Sequence, residues 1–169
     1  MSGSDIRTGG QASYQIYSDL IYAGGISDIQ EGNVVRSMTN ITDNVYYGRF
    51  VKRIAASEVG VGQPTTDADD YLGVSVRDIA DTGAGYYVPG RTLPVIVKGF
   101  VAVEVDQDVT VDDPVYARFT TAGGGLDLGV CRKDADTAKA VLISGARFVK
   151  NSFTDKFGVK IAIVELSLQ

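Results

Sequence analysis

The stretch Leu93–Asp106, LPVIVKGFVAVEVD, decides the fold class. Val95, Val97, Val101, Val103 and Val105 share one parity, while Lys98, Glu104 and Asp106 share the other. Successive side chains of a strand point to opposite faces, so this run predicts a half-buried β-strand. Gly99 sits in its middle and predicts a bulge or bend. On the N-terminal side, Val34, Arg36 and Met38 alternate with Asn33, Val35 and Ser37. Val45–Ile54 (VYYGRFVKRI) is aromatic and β-branched, as strands prefer. Tyr71–Asp78 (YLGVSVRD) puts Leu72, Val74 and Val76 on one face. On the C-terminal side, Val111-Asp112-Asp113-Pro114 reads as a turn into Val115–Phe119, and Gly123-Gly124-Gly125 as another turn. Lys133–Lys139 (KDADTAK) reads as one short helix. Ala140–Val149 and Val159–Leu168 close the chain as strands, the second apolar on both parities up to Val164 and so covered on both sides. About seven to nine short strands with no long helical pattern predict a mainly β protein, an antiparallel β-sandwich or barrel with little helix.

Composition narrows the function. The 169 residues are 44% apolar and 22% charged, an ordinary globular balance that fits one body domain. Sixteen basic and 21 acidic side chains leave a net charge of −5, which supplies no electrostatic footprint for nucleic acid or an anionic membrane. There is no histidine, so hydrolases that need an imidazole base are excluded. Cys131 is the single cysteine, so zinc sites built from Cys and His and internal disulfides are excluded too. No apolar run approaches the roughly 18 residues that would span a bilayer. The expectation is a protein made in the cytoplasm, with no cofactor and no metal.

Residues 1–28 read as an extended N-terminal arm, and residues 29–169 as a single β-rich body. Glycines at positions 3, 9, 10, 24 and 25 are mixed with Tyr14, Ile16, Tyr17, Leu20, Ile21 and Tyr22. These apolar residues sustain neither a helical nor a strand period over the segment. A disordered terminus is one reading. The other is an arm that becomes ordered on a partner, because aromatic side chains are enriched in interface cores and disordered tails are poor in them. On that reading the six apolar side chains carry the partner contacts.

Other constellations read as structure. Asp67, Asp69 and Asp70 offer oxygen ligands but lack the loop and closing glutamate of an EF-hand, which favours a solvated turn. Glu104, Asp106 and Asp108 share a parity and read as the outward face of a strand rather than as a carboxylate pair of the glycosidase kind. Gly60-Val61-Gly62 lacks the Lys and Ser/Thr of a P-loop. Arg36, Arg49, Arg53, Arg77, Arg91, Arg118 and Arg147 are scattered over the elements and form no basic stripe. Arg147, between Ala146 and Phe148, reads equally as a buried ion pair or as exposed. Cys131 reads as a small buried apolar side chain. Nothing assembles into an active site.

The order of the segments resembles a known family. A strand pair around Gly48-Arg49-Phe50-Val51 is followed by an acidic loop, Tyr71–Asp78, Tyr87-Val88-Pro89-Gly90 and Leu93–Gly99. Val111–Tyr116, Gly145-Ala146-Arg147-Phe148 and Ala162–Leu166 then follow. This succession, from about Ala23 to Leu166, resembles the structural cement (capsid decoration) proteins of tailed bacteriophages. The resemblance implies a β-rich, non-enzymatic virion protein on the outer surface of the head. It would bind across major-capsid-protein junctions and stabilise the shell against internal DNA pressure. Its partners would be the major capsid protein and neighbouring copies of itself, as dimers or trimers, with no nucleic acid, membrane or small-molecule substrate. Two other readings stand beside it. One is a β-sandwich module recognising host-surface glycans through Tyr46-Tyr47 or Tyr86-Tyr87. The other is a different virion part such as a head fibre or its base.

Overall fold

The computed structural model describes residues 21–28, 32–78, 85–121 and 127–168. Among them no helix is present, and no segment could cross a membrane as a helix. The strands are β1 (Ile26–Asp28), β2 (Val34–Asn40), β3 (Val45–Tyr46), β4 (Phe50–Arg53), β5 (Gly60–Gly62) and β6 (Tyr71–Ser75). They continue with β7 (Tyr86–Tyr87), β8 (Thr92–Glu104), β9 (Pro114–Arg118), β10 (Cys131–Arg132), β11 (Ala140–Thr154) and β12 (Lys160–Ser167).

The strand decisive in the sequence is also the axis of the architecture. The main sheet runs β10-β9-β11-β12-β8-β2-β5-β4-β6, and β6 returns to pair with β8. The first half of β8 therefore closes a ring with β2, β5, β4 and β6. All its pairings are antiparallel except β2–β5. The second half pairs with β12, and β11, β9 and β10 follow. A bridge between Val105 and Cys131 brings β10 back to the end of β8, so a second ring closes on the same strand. Closure removes most of the sheet edges that an open sheet of this length would expose.

One parity of β8 thus feeds two cores. Leu93, Val95 and Val97 are buried with Met38, Val51, Val61 and Leu72 inside the first ring. Val101, Val103 and Val105 are buried with Val115, Cys131, Phe148, Val164 and Leu166 in the second. The change of core falls at Gly99, which has a φ of 122°. That backbone requires glycine, and a Cβ there would also crowd the Asn33 side chain, whose Oδ1 lies 2.0 Å away. The strand β12 is buried on both faces over Ile161–Val164, as its double-parity apolar run predicts. Ala162 and Val164 face the second core, while Ile161 and Ile163 face the packing side that meets Ile21 and Ala23.

The strand pair around Gly48 is present as β3 and β4, because the chain turns at Gly48 with a φ of 69°. One local expectation is corrected. Lys133–Lys139 is a turn in which Asp136, Thr137 and Ala138 have φ values of 43°, 54° and 65°. Left-handed backbone costs roughly 1–2 kcal/mol per non-glycine residue, so local preference does not hold this turn. It is clamped instead by Arg118 and Arg132, which bind Asp136 at 2.7 and 3.1 Å.

Candidate contact surface at the arm root

Residues 21–28 run along the body. Gly24 N–H donates to Ala102 O at 2.8 Å, Ala102 N–H to Gly25 O at 2.8 Å, and Arg77 N–H to Gly24 O at 3.0 Å. Gly24 and Gly48 meet backbone to backbone: a Cβ on Gly48 would lie 2.6 Å from Gly24 N. Beyond this contact β1 pairs antiparallel with β8, Ile26 opposite Val101. Of the six apolar arm residues, Ile21 and Tyr22 are described; Tyr14, Ile16, Tyr17 and Leu20 lie outside the described residues. Ile21 is half-buried against Ala102, Ile161 and Ile163.

Tyr22 opens onto a cleft of about 410 Å³, lined also by Tyr46, Tyr47, Arg49, Arg77, Glu104, Asp155 and Phe157. Its chemistry is aromatic and cationic. The Arg77 guanidinium stands 4.8 Å from the Tyr22 ring centre, 5.1 Å from Phe157 and 5.6 Å from Tyr47. The Lys156 ammonium is 5.0 Å from Phe157 and 6.0 Å from Tyr22. Such contacts hold about 0.5–1 kcal/mol each at exposed sites and gain when a partner excludes water. At the cleft floor Arg49 forms a two-pronged pair with Glu104, at 2.7 and 3.0 Å, and its guanidinium lies 4.4 Å from the Tyr46 ring centre. Phe157 caps the β11–β12 turn, fixed by Asp155, which accepts from Phe157 N–H at 2.8 Å and Val159 N–H at 2.9 Å. It is 56% exposed, the most open large apolar side chain among the described residues. From sequence Arg77 reads only as one of the scattered arginines, and Lys156 and Phe157 do not stand out. The signal was a phenylalanine beside a glycine in an otherwise polar turn.

The tyrosine pairs read as glycan platforms face each other instead. Tyr46 and Tyr86 stand 5.2 Å apart and Tyr47 and Tyr87 5.1 Å, across β3 and β7. Tyr47 and Tyr87 are buried, and Tyr87 Oη donates to Val76 O while accepting from Asp78 N–H. Neither ring of that pair can stack on a sugar from solvent.

The acidic groups resolve into structure. Glu104 binds Arg49; Asp106 binds Arg118 at 2.8 Å and Arg132 at 3.0 Å; Asp108 binds Lys160 at 2.8 Å. The alternating face of β8 is therefore an ion-pair network in part, not simply a solvated outer face. Among the described residues no cluster of metal-ligating side chains is placed to hold an ion. Arg147 is exposed and pairs with Glu165. In the acidic loop, Asp69 accepts from the N–H groups of Thr65 and Thr66 and from Lys52 at 3.1 Å, closing a turn. Burial pushes its carboxyl up, but the two backbone hydrogen bonds and the Lys52 ammonium together hold it below the ordinary value. A carboxyl depressed in the folded state stabilises above its unfolded pKa, and that gain disappears as pH falls from about 4 through the lower folded value. Asp69→Ala is expected to cost about 1–2 kcal/mol at pH 7. In urea melts the difference from the parent protein should vanish at the acid end; a pH-independent difference would refute the assignment.

The structural cement protein family (E217 gp24/Pam3 gp6) matches residues 10–169. A chain from the solved capsid of Myoviridae phage XM1 is similar in fold, with a TM-score of 0.67 and 20% identity over 86% of this chain and 89% of that one. No curated protein matches the sequence.

Proposed function

The chain belongs to the phage structural cement protein family, and from that premise we propose that it binds the outer surface of the head across junctions between major capsid subunits. It stabilises the shell against the pressure of packaged DNA. The observation that carries this reading is the family match over residues 10–169, which takes in the whole body and most of the arm. The chemistry supports it. A doubly closed β body resists deformation, the chain carries no histidine for catalysis, and the arm root exposes cations sandwiched by aromatic rings. The role is structural rather than enzymatic, the location is the virion, and the partners are the major capsid protein and neighbouring copies in dimers or trimers.

In this reading Tyr14, Ile16, Tyr17, Leu20, Ile21 and Tyr22 carry the contacts to capsid or to neighbouring copies, with Arg77 and Phe157 continuing that surface onto the body. Many copies on a closed shell bind with avidity, so each contact can be modest while the whole is tight. The test is co-sedimentation of the purified protein with heads that lack it. The full chain should saturate at a fixed ratio to the major capsid protein. A variant lacking residues 1–20 should keep the body's circular dichroism spectrum and bind roughly a hundredfold more weakly. Absence of binding by the full chain to both mature and immature heads would remove the cement reading. Unchanged binding by the shortened chain would remove the arm's part in it.

A further inference from the structure

We infer that the cleft at the arm root takes an aspartate or glutamate side chain of the major capsid subunit, held between Arg77 and, at the rim, Lys156. This names the partner chemistry of the surface proposed above and rests on that reading. An imbalance of charge carries it. Five arginines are buried or half-buried among the described residues: Arg49, Arg53, Arg77, Arg118 and Arg132. Four of them meet a carboxylate of the chain: Glu104 pairs with Arg49, Asp70 with Arg53, and Asp106 with both Arg118 and Arg132. Arg77 is the exception. Its guanidinium stands against the rings of Tyr22, Tyr47 and Phe157, and it has no ion pair among the described residues. Contact with ring faces eases the charge but offers no lone pair to the five N–H donors.

Lys156 repeats the pattern. Its ammonium is held by Phe157 and Tyr22, two of the same rings, and it too has no carboxylate partner among the described residues. Like charges repel, so two cations gathered on one ring pair, in a chain of net charge −5, leave a place for an anion. The carboxylates that line the cleft are engaged elsewhere. Both oxygens of Glu104 bind Arg49, and Asp155 Oδ1 accepts the N–H groups of Phe157 and Val159 while its Oδ2 is buried.

Charge complementarity selects the occupant. The cleft, about 410 Å³, has room for an acidic side chain and aromatic walls to pack its methylene groups. A subunit docked over the arm root would exclude water from Arg77 and Lys156. Desolvated cations without a counter-charge weaken a complex, so a surface that fits here must bring its own carboxylate. Arginine holds such a group with two parallel N–H donors, and the lysine ammonium adds a point charge beside it.

Zero-length cross-linking with a water-soluble carbodiimide, on heads carrying the full chain, tests the assignment. The reagent joins a lysine amine to a carboxylate in contact with it. Peptide mass spectrometry should find Lys156 bonded to an aspartate or glutamate of the major capsid protein. Co-sedimentation with heads lacking the protein supplies the second measurement. Lys156→Glu alters an exposed side chain, so it should keep the parent's melting temperature and bind at least about tenfold more weakly. Arg77→Gln should weaken binding by a similar factor, and Lys156→Glu carries the test alone should Arg77→Gln fail to fold. Lys98→Glu, the same change of charge at an exposed lysine outside the cleft, should stay within about twofold of the parent. Asp81→Asn should too; Asp81 lies outside the described residues and is the acid that precedes the cleft residue Gly85 in sequence. Lys156 joined only to carboxylates of its own chain overturns the proposal, as does full binding by Lys156→Glu. A tenfold effect of Asp81→Asn would make the counter-charge the chain's own, and an equal loss in Lys98→Glu would mark net charge rather than this cleft; either overturns it. Retention of a sialylated glycan by the parent and not by Arg77→Gln, with equal head binding, would make the cleft a sugar site instead. If the parent itself does not sediment with heads, the cement reading falls; if the parent and the cleft variants bind alike, only this inference falls.

Discussion

Replacing Arg118 by methionine is expected to remove about 3–5 kcal/mol of folding stability at neutral pH, because a buried charge network loses its centre. Arg118 is 3% exposed and binds Asp106 at 2.8 Å, Asp136 at 2.7 Å and Asp127 at 3.5 Å. Arg132 shares Asp106 and Asp136 and adds Asp134, so two arginines face four carboxylates. Even with Arg118 present, burial pushes the Asp106 carboxyl up, and Asp136 and Asp134 add to the rise. Methionine keeps much of the volume but leaves three carboxylates to one cation, and it frees the left-handed turn Asp136–Ala138 that the pair clamps. The pH dependence has a definite sign. A carboxyl raised in the folded state binds its proton more readily there than in the unfolded chain, so it favours folding as pH falls. Removing Arg118 takes away the charge that holds the Asp106 carboxyl down, so Asp106 rises further and the deficit should shrink as pH is lowered from 7 towards 5. Urea unfolding at the two pH values measures it, with Arg147→Met, an exposed partner of Glu165, expected to lie within about 0.5 kcal/mol of the parent. A loss below about 1 kcal/mol, or a deficit that grows on acidification, would show that the network is not what holds this end of the second ring.

What the sequence could and could not announce follows from the range of the forces involved. The strand β8 is legible because its alternation is local, and β12 because both of its neighbours demand apolar contact. Burial of Cys131 is legible for the same reason. The strand pair around Gly48 is legible but the cause of its break is not, since that cause is the backbone of Gly24 arriving from the arm root. The turn at Asp136–Ala138 reads as a helix because aspartate, alanine and lysine tolerate one. The two arginines that impose the other conformation come from β9 and β10. Glu104 and Asp106 look solvated in a list of alternating residues; closure of the sheet carries Arg49, Arg118 and Arg132 to them. The arginines that appear scattered along the chain are thus gathered by topology. The arm's tyrosines stand out by composition alone, whereas Arg77 and Phe157 acquire meaning only when Tyr22 is laid between them.

Phe148→Ala is expected to cost about 3–5 kcal/mol and to lower the melting temperature by roughly 10 °C. The side chain is 2% exposed, stands opposite Val164 of β12, and fills the second core with Val101, Val103, Val115, Cys131 and Leu166. The larger consequence concerns cooperativity. The strand β8 is a wall of both rings, so the second ring cannot open without releasing the residues that close the first. Two probes read the rings separately. The buried pair Tyr47–Tyr87 lies in the first core, and its near-ultraviolet circular dichroism reports on it. Cys131 reports on the second: its thiol is wholly buried, and burial, with the charges of Glu104 and Asp106, pushes its pKa well up, so it should react with a thiol reagent only on unfolding. In the parent and in Phe148→Ala the two signals should change at the same denaturant concentration, shifted together by the substitution. Early labelling of Cys131 while the tyrosine signal persists would mean that the rings unfold one at a time, and the shared strand would then be a joint rather than a common wall.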